Sequence, residues 1–263
     1  MKKYIVIGNP IEHSLSPKLH NFWFKKNNID AIYEKKKIKI NEIKDLILDL
    51  KKKKINGINV TVPFKKDVIN FLDQLSLESK ETQSVNTIFL KNDKVIGHNT
   101  DIDGFQIAIE NLTIDLKIKS ALILGAGGVV SSIIFALNKM KIPKIILSNR
   151  TKKKAEDMKN LFNNINIVEW GNIPDADMII NATSVGLKKK DELNLDFSKF
   201  KKKFFYDVIY NPKITNFLES GKELGNKIEN GEMMFIFQAQ AAFKIWHGIK
   251  PQVTNELINF LRQ

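Results

Sequence analysis

Between Ala121 and Arg150 the chain reads as strand, glycine turn, helix, strand and basic residue, and no other stretch so narrows what it can fold into. Ala121-Leu122-Ile123-Leu124 is an unbroken apolar run that can be buried on both faces of a parallel sheet, and it leads directly into Gly125-Ala126-Gly127-Gly128. Glycines there let the backbone turn tightly and come close to a pyrophosphate. Val129 to Met140 has helical spacing, so its first N–H groups and positive dipole end face that pyrophosphate. A second strand, Lys144 to Ser148, ends in Asn149-Arg150. An NAD site of this kind has an acidic residue about 20 residues after the glycines to bind the ribose 2′-hydroxyl. Here an amide and a guanidinium stand instead, which favours NADP over NAD.

Composition sharpens that reading. The chain carries 42 Lys plus Arg, yet arginine occurs only at Arg150 and Arg262. In a chain so biased to lysine, an arginine at this place suggests a need for the planar, bidentate donor that lysine cannot supply. The net charge of +13 invites a nucleic-acid reading. The lysine runs at 35–37, 51–54, 152–154, 188–190 and 201–203 are scattered, however, with no aromatic string or recognition-helix pattern among them. They read as solvated faces, and no specific nucleic-acid partner is expected.

At 263 residues with 43% hydrophobic side chains, the chain can bury one large core or two of ordinary size. Met1-Lys2-Lys3 precedes only four apolar residues before Gly8-Asn9-Pro10, so no secretory leader is expected there. No apolar run reaches the ~18 residues that span a bilayer, and the expected setting is cytoplasmic, without a membrane partner. With no cysteine, thiolate catalysis and sulfur-ligated metals are excluded. His13, His20, His98 and His247 have no paired ligand spacing, so no metal is expected. His13 and His247 read as structural.

The predicted architecture is α/β in two domains. Residues 1–101, completed by helices from 238–263, form a substrate domain, and 102–237 form a Rossmann-like, doubly wound NADP domain. In the first, strands are expected at Tyr4–Ile7, Ala31–Lys35 and Gly57–Thr61, and helices at Ser16–Asn27, at Asn41–Lys53 and after Pro63. Ser16 followed by Pro17 reads as a cap with proline at the first helical position. Val85–Leu90 and Lys94–His98 flank a hairpin turn. In the second, further strands are expected at Ile165–Val168, Met178–Asn181 and Lys203–Val208. Gln238–Gln263 is expected to be helical and to rejoin the first domain, with the active site in the cleft between the two.

Several segments outside the glycine turn carry a resemblance. They are the stretch from Gly8 to Pro17 (GNPIEHSLSP), Asn59-Val60-Thr61-Val62-Pro63-Phe64-Lys65, Val85-Asn86-Thr87, Asn99-Thr100-Asp101, Asn181-Ala182-Thr183-Ser184 and Gln238-Ala239-Gln240-Ala241. In order and spacing, over essentially the whole chain, they resemble the signature segments of the shikimate dehydrogenases. That resemblance implies reversible, NADPH-dependent reduction of the 3-keto group of 3-dehydroshikimate to shikimate, on the route to chorismate and the aromatic amino acids, by a monomer or homodimer. It implies Lys65 as catalytic acid/base with Asp101 beside it. Ser14, Ser16, Thr61, Asn86, Asp101, Tyr210 and Gln238 would hold substrate. Gly125, Ala126, Gly127, Gly128, Val129, Asn149, Arg150, Thr151 and Lys154 would hold the cofactor, with Thr183, Val208 and Gly231 near the nicotinamide. Lys154 departs from the arginine common at its position, which weakens bidentate recognition there. The alternatives are a quinate/shikimate dehydrogenase using NAD and a non-catalytic dinucleotide-binding regulator.

The residue types suit the implied chemistry. Hydride transfer to a ketone leaves negative charge on oxygen, so the site needs a cationic donor that can release a proton. At ~4 Å and an effective dielectric near ~20, opposite charges attract by roughly 4 kcal/mol, so Asp101 would hold Lys65 protonated and in place.

Overall fold

The computed structural model describes residues 1–112, 117–188 and 190–263. Lys189 of the fourth lysine run therefore lies outside the described residues. Contacts divide the chain into two units, Met1–Gly104 with Ile236–Gln263, and Phe105–Phe235.

The first unit is built on β1 (Lys2–Gly8), whose residues from Tyr4 onward are buried. After α1 (Ser16–Lys26) the chain returns as β2 (Ala31–Lys37), and after α2 (Ile43–Lys51) as β3 (Gly57–Val60). Both β2 and β3 pair with β1 in parallel, each through a helical crossover, as parallel pairing requires. β4 (Gln74–Leu75), α3 (Leu77–Thr82), β5 (Thr87–Lys91) and β6 (Lys94–His98) complete a mixed sheet of order β2-β1-β3-β5-β6-β4. Asn92 and Asp93, both at positive φ, form the tight turn between β5 and β6.

Two expectations fail here for local reasons. The stretch after Pro63 is not an α-helix but a turn followed by a 3-10 segment at Asp67–Phe71. The Lys65 carbonyl accepts the Val85 N–H, 20 positions on, and so is not bonded within an α-helical ladder. Ser16 is the first residue of α1 rather than its cap: Leu15 holds the cap position, and the Ser14 hydroxyl accepts the Ser16 N–H at 3.3 Å.

α4 (Asp101–Glu110) carries the chain onward to β7 (Ser120–Leu124), α5 (Val130–Lys139), β8 (Lys144–Ser148), α6 (Lys152–Leu161), β9 (Ile165–Val168), β10 (Met178–Asn181), β11 (Phe204–Asp207), α7 (Asn216–Glu223) and β12 (Lys227–Glu229). The second unit's sheet has the order β9-β8-β7-β10-β11-β12, parallel throughout. That is the doubly wound Rossmann order, with its switch point between β7 and β10. Residues 121–124 of β7, 145–147 of β8 and 178–180 of β10 are apolar runs closed off from water, and Ile133, Ile134 and Leu137 of α5 are fully buried. Each such aliphatic side chain contributes roughly 1.5–3 kcal/mol on burial. Lys203, in a run expected to be solvated, is instead mostly buried, paired with Asp175 at 2.9 Å and Asp177 at 3.8 Å.

The C-terminal stretch is two helices, α8 (Glu232–His247) and α9 (Asn255–Arg262), interrupted at Gly248, which lies at φ +70°. The Asn230 side chain accepts the Glu232 N–H, so α8 starts six positions before Gln238, which is mid-helix rather than helix-opening. Within the first unit, His20 stacks on Tyr33 at 4.3 Å, beside Phe243, Trp246 and Trp23. His247 of α8 joins this cluster, and burial pushes its imidazole down to about 4. His13, by contrast, is exposed rather than structural. Among the described residues no helix is long and apolar enough to cross a membrane.

Candidate active site

In the first unit the chain leaves the end of β3 at Val60 and turns through Thr61 to Lys65. The Lys65 Nζ lies 2.5 Å from the Asp101 Oδ2, and the two side chains are 13% and 9% exposed. Asp101 is the first residue of α4, where a carboxylate meets the positive end of the helix dipole. Its other oxygen accepts the Asn86 amide at 2.8 Å. The same amide nitrogen donates to the Thr100 hydroxyl at 3.0 Å and to Gln238 Oε1 at 3.4 Å, while Asn86 Oδ1 accepts the Thr100 N–H at 2.8 Å. Lys65, Asn86, Asp101 and Gln238 therefore form one cluster. Both amide hydrogens of Asn86 already have protein acceptors, so a substrate oxygen would replace the long bond to Gln238.

Ser14 lies in the loop before α1, Ser16 opens that helix, and Thr61 lies in the turn after β3. The Asn9 N–H donates to the Val62 carbonyl and the Thr61 N–H to that of Ile7, which zips the start of the 9–16 loop to the turn after β3. Ser16 hydrogen-bonds Tyr33, whose hydroxyl donates to Asn59 Oδ1 at 2.7 Å. The Asn59 amide passes on to the Asn86 carbonyl at 2.9 Å and the Thr87 hydroxyl at 3.0 Å, and that hydroxyl donates to Asn86 Oδ1 at 3.0 Å. A buried line of polar groups thus runs from Ser16 to Asp101.

In the second unit, register puts Leu124 opposite Ser148 and Asn181, and Asn181 opposite Asp207, so four strands end level. The next residues, Gly125, Asn149, Ala182 and Val208, therefore line the carboxyl edge of the sheet, where ligands of open α/β sheets bind. Gly125 is at φ +105°, and a Cβ there would come within 2.9 Å of Thr183 and 3.0 Å of the Ala182 carbonyl, so glycine is required twice over. At Gly128 a Cβ would meet nothing within 4 Å, and at Gly127 only the Ala182 carbonyl at 3.8 Å, which leaves one side of the turn open. Ala126 lies within this turn and Val129 at the cap of α5, where no side-chain cap and no acidic residue occupy the first turn. These features fit a pyrophosphate.

Past the end of β8, the Asn149 amide donates to the Thr151 carbonyl at 2.8 Å, fixing the turn from which Arg150 projects into solvent. Thr151 caps the backbone of α6, and Lys154 lies exposed in its first turn, which holds no acidic residue. A cationic surface of this kind, with a forked guanidinium, suits a 2′-phosphate. Tyr210 stacks on Phe235 at 4.8 Å, and burial pushes its phenol up to about 12, so it remains a neutral hydrogen-bonding group. A Cβ at Gly231 would fall on the Val208 carbonyl, which brings these two proposed nicotinamide neighbours into contact.

Sequence reasoning passed over buried polar residues that the structure links by hydrogen bonds: Tyr33, Asn59, Thr87 and Thr100 in the first unit, Asp207 and Thr215 in the second. Asn59, Thr87 and Thr100 stood inside the quoted segments, and a charged Asp207 closing the apolar run from Phe204 was a signal available in the sequence.

Comparison with known proteins gives a consistent result. The family model described as the shikimate dehydrogenase substrate binding domain matches residues 6–88, and the one described as shikimate / quinate 5-dehydrogenase matches residues 106–213. A curated shikimate dehydrogenase (NADP(+)) of Pelagibacter ubique is 58% identical over 261 residues, covering 99% of this chain and 98% of that protein. The crystal structure of the Thermus thermophilus shikimate 5-dehydrogenase, solved with NADP(H) and shikimate, superposes with a TM-score of 0.90 at 30% identity, covering 100% of this chain and 99% of that one. The Listeria monocytogenes shikimate 5-dehydrogenase, solved with shikimate and NAD, gives 0.92 at 27% identity, covering 99% and 96%. Together with the two-unit α/β fold and the motif order along the whole length, these matches mean that the chain belongs to the shikimate dehydrogenase family.

Proposed function

We infer that the chain is an NADP-dependent oxidoreductase that interconverts 3-dehydroshikimate and shikimate, and that Lys65 is its proton donor and acceptor. The observation carrying this reading is the ion pair of Lys65 with Asp101, mostly withdrawn from water at the end of a strand. NADPH, when bound, supplies the hydride. Lys65 Nζ then donates a proton to the carbonyl oxygen as it becomes an alkoxide, and in the reverse direction takes it from the hydroxyl. Asp101 holds that ammonium in position and offers its oxygens to a substrate hydroxyl. Asn86 orients Asp101, and Gln238, Thr61, Ser14, Ser16 and Tyr210 supply further polar contacts to the substrate's hydroxyls and carboxylate. Gly125 to Val129 would receive the pyrophosphate, and Asn149, Arg150, Thr151 and Lys154 the adenosine 2′-phosphate. Thr183, Val208 and Gly231 would border the nicotinamide. Such an enzyme would work in the cytoplasm as a monomer or homodimer.

Shikimate oxidation followed by reduced-nicotinamide absorbance provides the test. It should proceed with NADP and run far more slowly with NAD. Arg150→Ala should raise the KM for NADP by about 10- to 100-fold, the range for losing a hydrogen-bonded charge, and leave NAD kinetics nearly unchanged. Comparable efficiency of the wild type with both cofactors would overturn the 2′-phosphate assignment.

A further inference from the structure

Asp207 is a fully buried carboxylate that the proton-transfer chemistry does not use. It faces Asn181 across the parallel pair of β10 and β11, at the level where both strands end. Its Oδ1 accepts the Ile209 N–H at 2.9 Å, and its Oδ2 accepts the Thr215 hydroxyl at 2.6 Å and the Asn181 amide at 3.0 Å. These are neutral donors drawn from the strand beside it and the loop that follows it.

The bond to Asn181 has a directional consequence. Because Asp207 takes the amide nitrogen, the amide oxygen of Asn181 must face the other way. There it accepts both the N–H and the hydroxyl of Thr183, at 3.1 and 2.7 Å. The Thr183 hydroxyl, its own proton so committed, accepts the Val185 N–H at 3.0 Å. Thr183 thereby presents its methyl group beside Gly125. On the other side, the Val208 N–H donates to the Asn181 carbonyl at 3.0 Å, and the Gly231 N–H to that of Ile209 at 3.1 Å.

We propose that Asp207 is a positioning residue for hydride transfer, whose carboxylate fixes the Thr183, Val208 and Gly231 edge against which the nicotinamide would lie. The proposal rests on the reading of those three residues as nicotinamide neighbours. Stability alone does not account for such a group. Burial raises its carboxyl to about 6, so the folded state binds the proton more tightly than the unfolded chain does. Stability is therefore lost as pH rises from the ordinary carboxylate range through about 6. An ionised carboxylate that weakens the fold at neutral pH, yet orders a ligand edge, fits a functional role.

The experiment compares Asp207→Asn, the exchanged pair Asn181→Asp with Asp207→Asn, and Thr183→Ala, by kinetics and thermal denaturation. Asp207→Asn sets one amide against another and should lower kcat/KM for NADP by about 10- to 100-fold, the range for a charge-assisted bond. The KM for shikimate should stay within about twofold, while the melting temperature should fall by a few degrees, because at least one of the three donors loses its acceptor. The exchanged pair rebuilds an amide–carboxylate contact and should recover most of the loss. Wild-type kcat should decline as pH falls through about 6, a limb that Asp207→Asn should lack. The titratable neighbours are Tyr206 on the same strand and Glu229 on the strand beside it, and the burial of Tyr206, with the negative charges of Glu229 and Asp207, keeps that phenol neutral. A rise in the KM for shikimate as large as that for NADP in Asp207→Asn, or unchanged cofactor kinetics, would overturn the proposal. Thr183→Ala separates the two readings. If it leaves the KM for NADP untouched, the nicotinamide assignment fails and the proposal with it; if it raises that KM while Asp207→Asn does not, only the proposal fails.

Discussion

Replacing Lys65 with alanine should lower kcat for shikimate oxidation by about 10²- to 10⁴-fold, the range for removing a positioned general acid or base. The KM for shikimate should move much less, because a general acid or base acts mainly on charge that develops in the transition state. The fold should survive. Asp101 keeps its bond from Asn86 at 2.8 Å and its place at the start of α4, and the vacated ammonium position is reached by the turn after β3, which is partly open to water. Steady-state rates with saturating NADP, beside a circular dichroism spectrum of the variant, provide the check. A variant with native rates would remove Lys65 from the mechanism, and the ion pair would become a structural tie.

Asn86→Ala should damage stability and catalysis together. The Asn86 side chain is 3% exposed and bonds to Thr87, Thr100, Asp101 and Gln238. Without it the buried Thr100 N–H and one Asp101 oxygen lose their partners, at about 1–3 kcal/mol each. The melting temperature of a chain this size falls by about 2–4 °C per kcal/mol, which puts the expected drop near ~10 °C. Asp101 also loses the contact that aims it at Lys65, so kcat should fall by about 10- to 100-fold, the worth of one hydrogen bond to a charged group. Differential scanning calorimetry and steady-state kinetics read the two effects separately. A melting temperature within about 2 °C of the wild type would mean that water replaces the amide without loss.

The second unit's central strands were legible in the sequence because each is a short apolar run with polar residues or glycine at its borders. β8, β9 and β10 have the predicted ends. α6 was not legible: of Lys152–Leu161 only Ala155 is buried, so almost no apolar period exists to be read. β12 is three residues long, lies at the sheet edge and leaves Lys227 exposed, which gives no strand signature. The 3-10 segment after Lys65 depends on a carbonyl captured by Val85, a contact that no local pattern announces. The candidate site divides in the same way. Residues such as Lys65, Arg150 and the glycines stand just past strand ends, where sequence alone suggests a ligand. Tyr33 and Asn59 meet across 26 positions, as do Asn181 and Asp207, and their roles arise only when separate strands are laid side by side. Tyr33 reads in isolation as one more apolar strand residue.

The hydroxyls and amides that join Ser16 to Asp101 through Tyr33 and Asn59 act as a ruler. If one end grips a ligand's carboxylate and the other its hydroxyls, the span between them is set by β1, β2 and β3, not by flexible side chains. A molecule whose acidic and hydroxylated ends are spaced differently would have to leave one end unsatisfied or pull apart bonds that water cannot replace. Sites built in this manner discriminate by polar mismatch far more steeply than greasy pockets do by size.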